Sequence, residues 1–233
     1  MVEIRVITLL SIALQHVLRG HVPPTDLVKS IISEGLGLGI VAASCLVKVP
    51  QIVKLVSSSS AQGLNPTSFE IETFCATVAA TYGFVHKLSF NAFGESVAIG
   101  LQNIVLLFLI YKYQKRSLGR RVVVLVGLMT WLAAAQGGHL TAELLNKLFD
   151  LNSIILLVSR IPQITQNYRS KSTGQLSFIT YLMNFLGTMA RVFTTLQEQG
   201  GAAMLRGVIM SMVMNGIVVM QIIIYKNPKK KTQ

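Results

Sequence analysis

Lys48-Val49-Pro50-Gln51-Ile52 and Arg160-Ile161-Pro162-Gln163-Ile164 are two versions of one pentapeptide, 112 residues apart (48 to 160). Each lies inside a long apolar run. The same shift, without gaps, places Ser60 on Ser172, Leu64 on Leu176, Asn65 on Ser177 and Glu72 on Asn184. It also places Asn103 on Asn215 and Tyr113 on Tyr225. A chance Pro-Gln pair is common, whereas one register held from the first apolar run to the end of the third is not. The chain therefore uses one three-helix unit twice.

Working outward from the repeat, seven apolar runs follow the turn signal Pro23-Pro24. They lie at roughly 35–56, 68–86, 96–113, 121–138, 147–168, 178–197 and 204–225. Each approaches the ~20 residues that cross ~30 Å of hydrocarbon at 1.5 Å per residue. The fourth is blunted by Gly137, Gly138 and His139. With 52% hydrophobic and only 13% charged residues, the composition is that of a membrane protein. The expected fold is all-α and polytopic, with seven transmembrane helices. Two parallel three-helix bundles (35–113 and 147–225) are joined by a linker helix (121–138). The fourth span restores the direction that three spans invert, so the bundles are related by an axis along the membrane normal.

The first 28 residues read differently. Arg5, Thr8, Ser11, Gln15 and Arg19 recur at helical spacing between Val6, Leu9, Leu10, Ala13, Leu14 and Val17. That pattern, without a small-residue cleavage site, gives a retained amphipathic interfacial helix rather than a signal peptide.

Charge placement sets an expected orientation. With the 226–233 tail cytosolic, one side carries Lys112, Lys115, Arg116, Arg120, Arg121, Arg169, Lys171, Lys226, Lys229, Lys230 and Lys231. The other short loops carry Lys87, Lys147 and Arg206. By the positive-inside rule the C-terminus is cytosolic and the N-terminus lumenal. The net charge of +12 is then an orientation signal, and no nucleic-acid partner is expected. The two cysteines, Cys45 and Cys75, sit in apolar runs, and the four histidines lack metal-like spacing. Neither a disulfide framework, nor a metal site, nor a cofactor is expected. No Ser–His–carboxylate set or phosphate-cradling loop emerges, so an enzyme is not expected.

The candidate site residues are the polar ones inside the spans. Pro50 and Pro162 lack a backbone N–H and crowd the carbonyls of Leu46 and Val158, so a bend or break is expected in spans one and five. They are candidate hinges, or fixed kinks that only shape the bundle. Gln51 and Gln163 are candidate amide donors to the freed carbonyls or to a ligand. Lys48 shares a helix face with Gln51, as Arg160 does with Gln163. These cations face a cavity or a carboxylate, or snorkel to headgroups. In span six, Thr180, Asn184, Thr188, Arg191 and Thr195 form one stripe. Arg191 is a candidate for holding a phosphate or carboxylate. Span two answers with Glu70, Thr73, Thr77 and Thr81, plus Glu72. Glu72 is the candidate binding carboxylate, and Glu70 is expected to be structural.

The Pro-Gln helices and the 3+1+3 plan resemble the PQ-loop superfamily and its SWEET-like arrangement. The resembling segments are GLGLGIVAASCLVKVPQI (35–52), SAQGL (60–64), FGESVAIGLQ (93–102), RIPQI (160–164), KSTGQLSFIT (171–180) and ARVFTTLQE (190–198). The flanking segments are similar to superfamily members needed for mannose-P-dolichol utilisation. That likeness implies an endoplasmic-reticulum membrane protein required for use of dolichol-phosphate-linked mannose and glucose in lumenal glycosylation. N-glycan assembly, glycolipid anchors and mannosylation would depend on it. It would flip or present the lipid-linked sugar, with ER glycosyltransferases as neighbours. Lys48, Arg160 and Arg191 would offset the phosphate, and Gln51, Gln163 and Asn184 would bond sugar hydroxyls in a seam between the repeats. Lys230 and Lys231, third and fourth from the printed end, fit a cytosolic retrieval signal or an ordinary basic tail. Two other readings stay open. One is a small-solute transporter for a sugar or amino acid, proton-coupled through Glu72. The other is a non-transporting adaptor or receptor.

Overall fold

A computed structural model describes residues 2–62, 64–115, 117–173 and 178–225, with the side chains of 2–5, 156, 157, 159 and 180 outside the description. Among the described residues all regular structure is helical. The helices are α1 (Val2–Leu18), α2 (Thr25–Ser44), α3 (Val49–Ser58), α4 (Pro66–Val85), α5 (Phe90–Tyr113), α6 (Leu118–Gln136), α7 (Ala142–Ser170), α8 (Phe178–Gln197) and α9 (Gly201–Tyr225). The chain divides into two compact units, Met1–Leu148 and Phe149–Gln233. Arg116, Leu176, Ser177, the Thr180 side chain and the 226–233 tail with Lys230 and Lys231 lie outside the described residues.

The chain is an all-α, polytopic membrane protein. Four helical segments have the length and apolar composition of a membrane span: Thr25–Ser58, Phe90–Tyr113, Leu118–Gln136 and Gly201–Tyr225. The remaining long helices α4, α7 and α8 have 20, 29 and 20 residues, enough to span, but hold more polar side chains. Those polar positions include most of the candidate site residues: Glu72 on α4, Arg160 and Gln163 on α7, and Asn184 and Arg191 on α8. The apolar surface is left bare rather than buried. α6 has no buried residue, with Val123 71% exposed. Such a face is stable only against lipid or another protein.

The backbone obeys the repeat. Shifted by 112 residues, the bounds of α4 become 178–197, which are those of α8, and the ends of α3 and α5 fall on the ends of α7 and α9. Left-handed residues recur in the same register: Ser59 (φ 47°) with Lys171 (φ 49°), and Lys87 (φ 54°) with Gln199 (φ 52°). Side-chain caps recur too. Ser58 Oγ donates to the carbonyls of Lys54 and Ser60, and Ser170 Oγ donates to those of Gln166 and Ser172. These turns are set locally, where a left-handed residue ends the helix and its carbonyls need partners.

In the first unit α5 is central and packs against α2, α3 and α4, while α1 packs on α2 and α6 on α4. A core of Leu55, Ala61, Phe69, Leu106, Leu107, Leu109, Ile110 and Tyr111 closes one end. Glu70 is structural: its carboxylate takes Nε (2.7 Å) and Nη2 (2.9 Å) of Arg120 and the hydroxyl of Tyr111. This ties α4 to α5 and α6. Trp131 Nε1 adds a second tie, donating to Thr81 Oγ1 at 2.9 Å. In the second unit α8 packs along α9. Gly207 lets α9 approach α7 so closely that a Cβ there would lie 2.6 Å from Ser153 Oγ. Arg206 Nη2 meets Asp150 Oδ2 at 2.6 Å nearby.

Three expectations need correction. The first span starts at Thr25, directly after Pro24, and not near residue 35. Pro24 is the N-cap of this helix, where its missing N–H costs no helical bond. The break in that span falls at 45–48, before Pro50, which sits in the first turn of α3. There a missing N–H costs no helical bond. The Leu46 carbonyl is not left free either, since it accepts from Val49 N–H at 3.2 Å. In the second copy no break follows: α7 runs through Pro162 from Ala142 to Ser170. A single proline deletes one ladder bond, and the bonds on either side of it keep this helix continuous.

Candidate functional site

The candidate residues of the first unit gather at the α2–α3 break. Lys48 is the N-cap of α3, with φ −97° and ψ −8°. Its ammonium lies 2.6 Å from Glu72 Oε1 on α4. The ammonium also sits 5.7 Å from the Phe69 ring centroid, one helical turn before Glu72. The Lys48 side chain is 17% exposed and Glu72 42% exposed, so the pair is open on the carboxylate side. This geometry suits ion exchange. An anion arriving from the open side competes with Glu72 for the ammonium.

The break is held by a residue that periodicity alone did not single out. Gln102 on α5 accepts from Lys48 N–H through Oε1 at 3.0 Å and donates through Nε2 to the Ser44 carbonyl at 2.9 Å. One amide thus closes the last carbonyl of α2 and the first amide of α3. A glutamine one residue before the repeated Asn103 was the available signal. The expected donor, Gln51, is half-buried and has no hydrogen-bond partner among the described residues. Asn103 itself is fully buried, and its amide likewise finds no partner among the described residues. A further buried polar contact joins Glu34 on α2 to Asn91 on α5, and it too was missed.

The second unit arranges the equivalent residues differently. Gln163 is used: its Nε2 donates to the Tyr181 hydroxyl at 2.7 Å. Tyr181 occupies the position of Phe69, which has no hydroxyl to offer Gln51. Arg160 and Asn184 are both exposed, and among the described residues Arg160 makes no ion pair. Asn184 stands where Glu72 stands in the first unit, so the carboxylate is missing from the repeat's own pattern. Arg191 is buried at 9% exposure, with Thr194 and Thr195 beside it at 1% and 3%. The threonine hydroxyls of α4 turn back onto their own helix: Thr73 bonds the Phe69 carbonyl, Thr77 that of Thr73 and Thr81 that of Thr77. They serve helix packing. A glutamine from the third helix again bonds the first helix. Gln221 Nε2 donates to the Ile164 carbonyl at 2.9 Å, and its Oε1 accepts from Asn167 at 3.0 Å.

A family model described as PQ loop repeat matches residues 32–92 and 149–201. The two matches start in the first helix of each copy and cover both Pro-Gln segments. Both segments are similar to the PQ loop repeat. The first match takes in the α2–α3 break, Lys48 and Glu72, and the second takes in Arg160, Gln163, Asn184 and Arg191. Among the described residues no cluster of metal-binding side chains occurs.

Proposed function

We propose that the chain is a homologue of the mannose-P-dolichol utilization defect 1 protein. In this reading it is an endoplasmic-reticulum protein required for use of mannose-P-dolichol and glucose-P-dolichol in lumenal glycosylation. The observation that carries the reading is the loss of the carboxylate in the second copy. Lys48 meets Glu72, while exposed Arg160 has asparagine at the matching place. An uncompensated guanidinium in a membrane protein favours an anionic partner, and a phosphodiester presents two oxygens to its fork. Asn184 and Gln163 add amide groups of the kind that bond sugar hydroxyls. The flanking sequence likeness supports the compartment. The N-terminus is lumenal and the C-terminus cytosolic in this proposal, following the charge count. The protein binds and moves or presents the lipid-linked sugar and catalyses no covalent step.

The test is rescue. Cells lacking the endogenous mannose-P-dolichol utilisation protein, supplied with this chain, make full-length lipid-linked oligosaccharide. Correct ER expression without rescue overturns the assignment. Liposomes carrying a labelled short-chain mannose-P-dolichol analogue separate two versions. Accelerated exposure of the label supports flipping, and no acceleration leaves presentation to the glycosyltransferases.

A second reading has its own observation. Glu72 is a half-exposed carboxylate on a lysine, a pair that a proton can open. This suits a proton-coupled carrier of a sugar or amino acid. Solute uptake abolished in Glu72→Gln, with the protein still folded, would favour it. A non-transporting adaptor predicts stable co-purification with ER glycosyltransferases instead.

A further inference from the structure

We infer that Gln102 is the positioning residue of the Lys48–Glu72 pair, and that residue 102 against residue 214 decides which copy keeps a broken first helix. The inference concerns the same site as the proposed function, but its test needs no substrate. The break leaves the Ser44 carbonyl and the Lys48 N–H without ordinary helical partners. In hydrocarbon each such group is costly, because no water replaces the lost bond. Gln102 satisfies both at once, at 2.9 and 3.0 Å. The remaining N–H groups of the break close short turns: Leu46 to Ala43, Val47 to Ser44 and Val49 to Leu46. The Ser44 carbonyl thus accepts from Val47 as well as from Gln102, while the Lys48 N–H has the Gln102 amide as its partner, so the broken state leans on Gln102 chiefly at Lys48.

The second copy supplies the control. The matching position on the third helix is Met214, which has no donor and only a weak acceptor. It is half-buried, as Gln102 is. The first helix of this copy, α7, is unbroken through the matching residues 156–160. Both copies hold the proline, so the proline does not decide the difference. The break also fixes where the Lys48 backbone lies, because its N–H is bonded to Gln102 while its ammonium reaches Glu72. With the backbone released, the first span can close into a continuous helix as α7 does. Lys48 then takes the place of Arg160, exposed and off the carboxylate.

The test is a double-mutant cycle on the purified chain in detergent micelles, using Gln102→Met and Glu72→Gln. Met has nearly the volume of Gln and is the residue that the other copy uses. In the parent, Glu72→Gln is expected to lower the unfolding midpoint by about 2 °C. In Gln102→Met it is expected to leave the midpoint unchanged, because the pair is already lost. Equal shifts in both backgrounds would mean that Gln102 merely packs, and would overturn the inference. Spin labels at exposed Leu36 and Val53 give an independent reading. In Gln102→Met their backbone separation should move toward the ~26 Å of a straight helix, and an unchanged distribution again overturns the proposal. Gln102→Asn keeps an amide but is one methylene too short to bridge both groups. It should uncouple Glu72 in the same way, and retained coupling would count against the bridging role. Failure of the rescue assay above leaves these results untouched.

Discussion

Around Pro50 the chain leaves the helix for four residues, and the lysine at the exit meets a carboxylate. Around Pro162 the chain stays helical, and the arginine at the same place stands exposed. The two segments share their Pro-Gln pair, their register and the end of the helix that follows. What separates them lies on neighbouring helices: Gln102 against Met214, Glu72 against Asn184, Phe69 against Tyr181. A proline weakens a helix by one bond and some crowding. Whether the helix opens depends on which side chains can take over the backbone groups that opening exposes.

Mutations that move one copy toward the other test this reading. The largest effect is expected where α7 and α9 touch. Gly207→Val should cost about 2 kcal/mol or more in thermal unfolding, since even a Cβ there crowds Ser153 and Phe149. Next comes the glutamine that ties the third helix to the first. Gln221→Leu removes two hydrogen bonds and leaves buried Asn167 without that acceptor, a loss of about 2 kcal/mol. A result near zero would mean that the helices, not the amide, hold this contact.

A smaller effect follows from exchanging the aromatic residue. Tyr181→Phe copies Phe69 and strips Gln163 of its partner, at about 1 kcal/mol. The reverse change, Phe69→Tyr, gives Gln51 a hydroxyl and should be neutral or slightly stabilising. An equal loss in both would show that ring packing, not the hydroxyl, matters. The smallest effect on stability is expected from Asn184→Glu, which gives exposed Arg160 a carboxylate. Its unfolding midpoint should hardly move, because exposed pairs contribute little. Oligosaccharide synthesis in the rescue assay should nevertheless fall, if Arg160 serves the lipid phosphate. Unimpaired rescue would remove Arg160 from the proposed site.

Much of the fold was legible because it is set along the chain. Apolar runs of spanning length and the 112-residue shift both act through local backbone and solvent chemistry, whereas the sequence reading starts the first span ten residues after Thr25. The choice of Lys48 and Glu72 as polar residues worth watching was also legible, because charge inside an apolar run is costly. Their pairing was not. Lys48 and Glu72 lie on different helices, and nothing in their spacing says that a 2.6 Å contact joins them. Glu34 with Asn91, and Gln102 with the break, escaped for the same reason: each bond spans more than fifty residues.

The sequence by itself determined that this is a helical membrane protein made from two copies of one unit, because hydrophobic length and repeat register are properties of the chain read in order. The tertiary structure alone decided that one copy breaks its first helix and the other does not. That choice depends on whether a side chain from another helix is at hand to satisfy the backbone groups a break exposes, and only packing brings Gln102 to one site and leaves Met214 at the other.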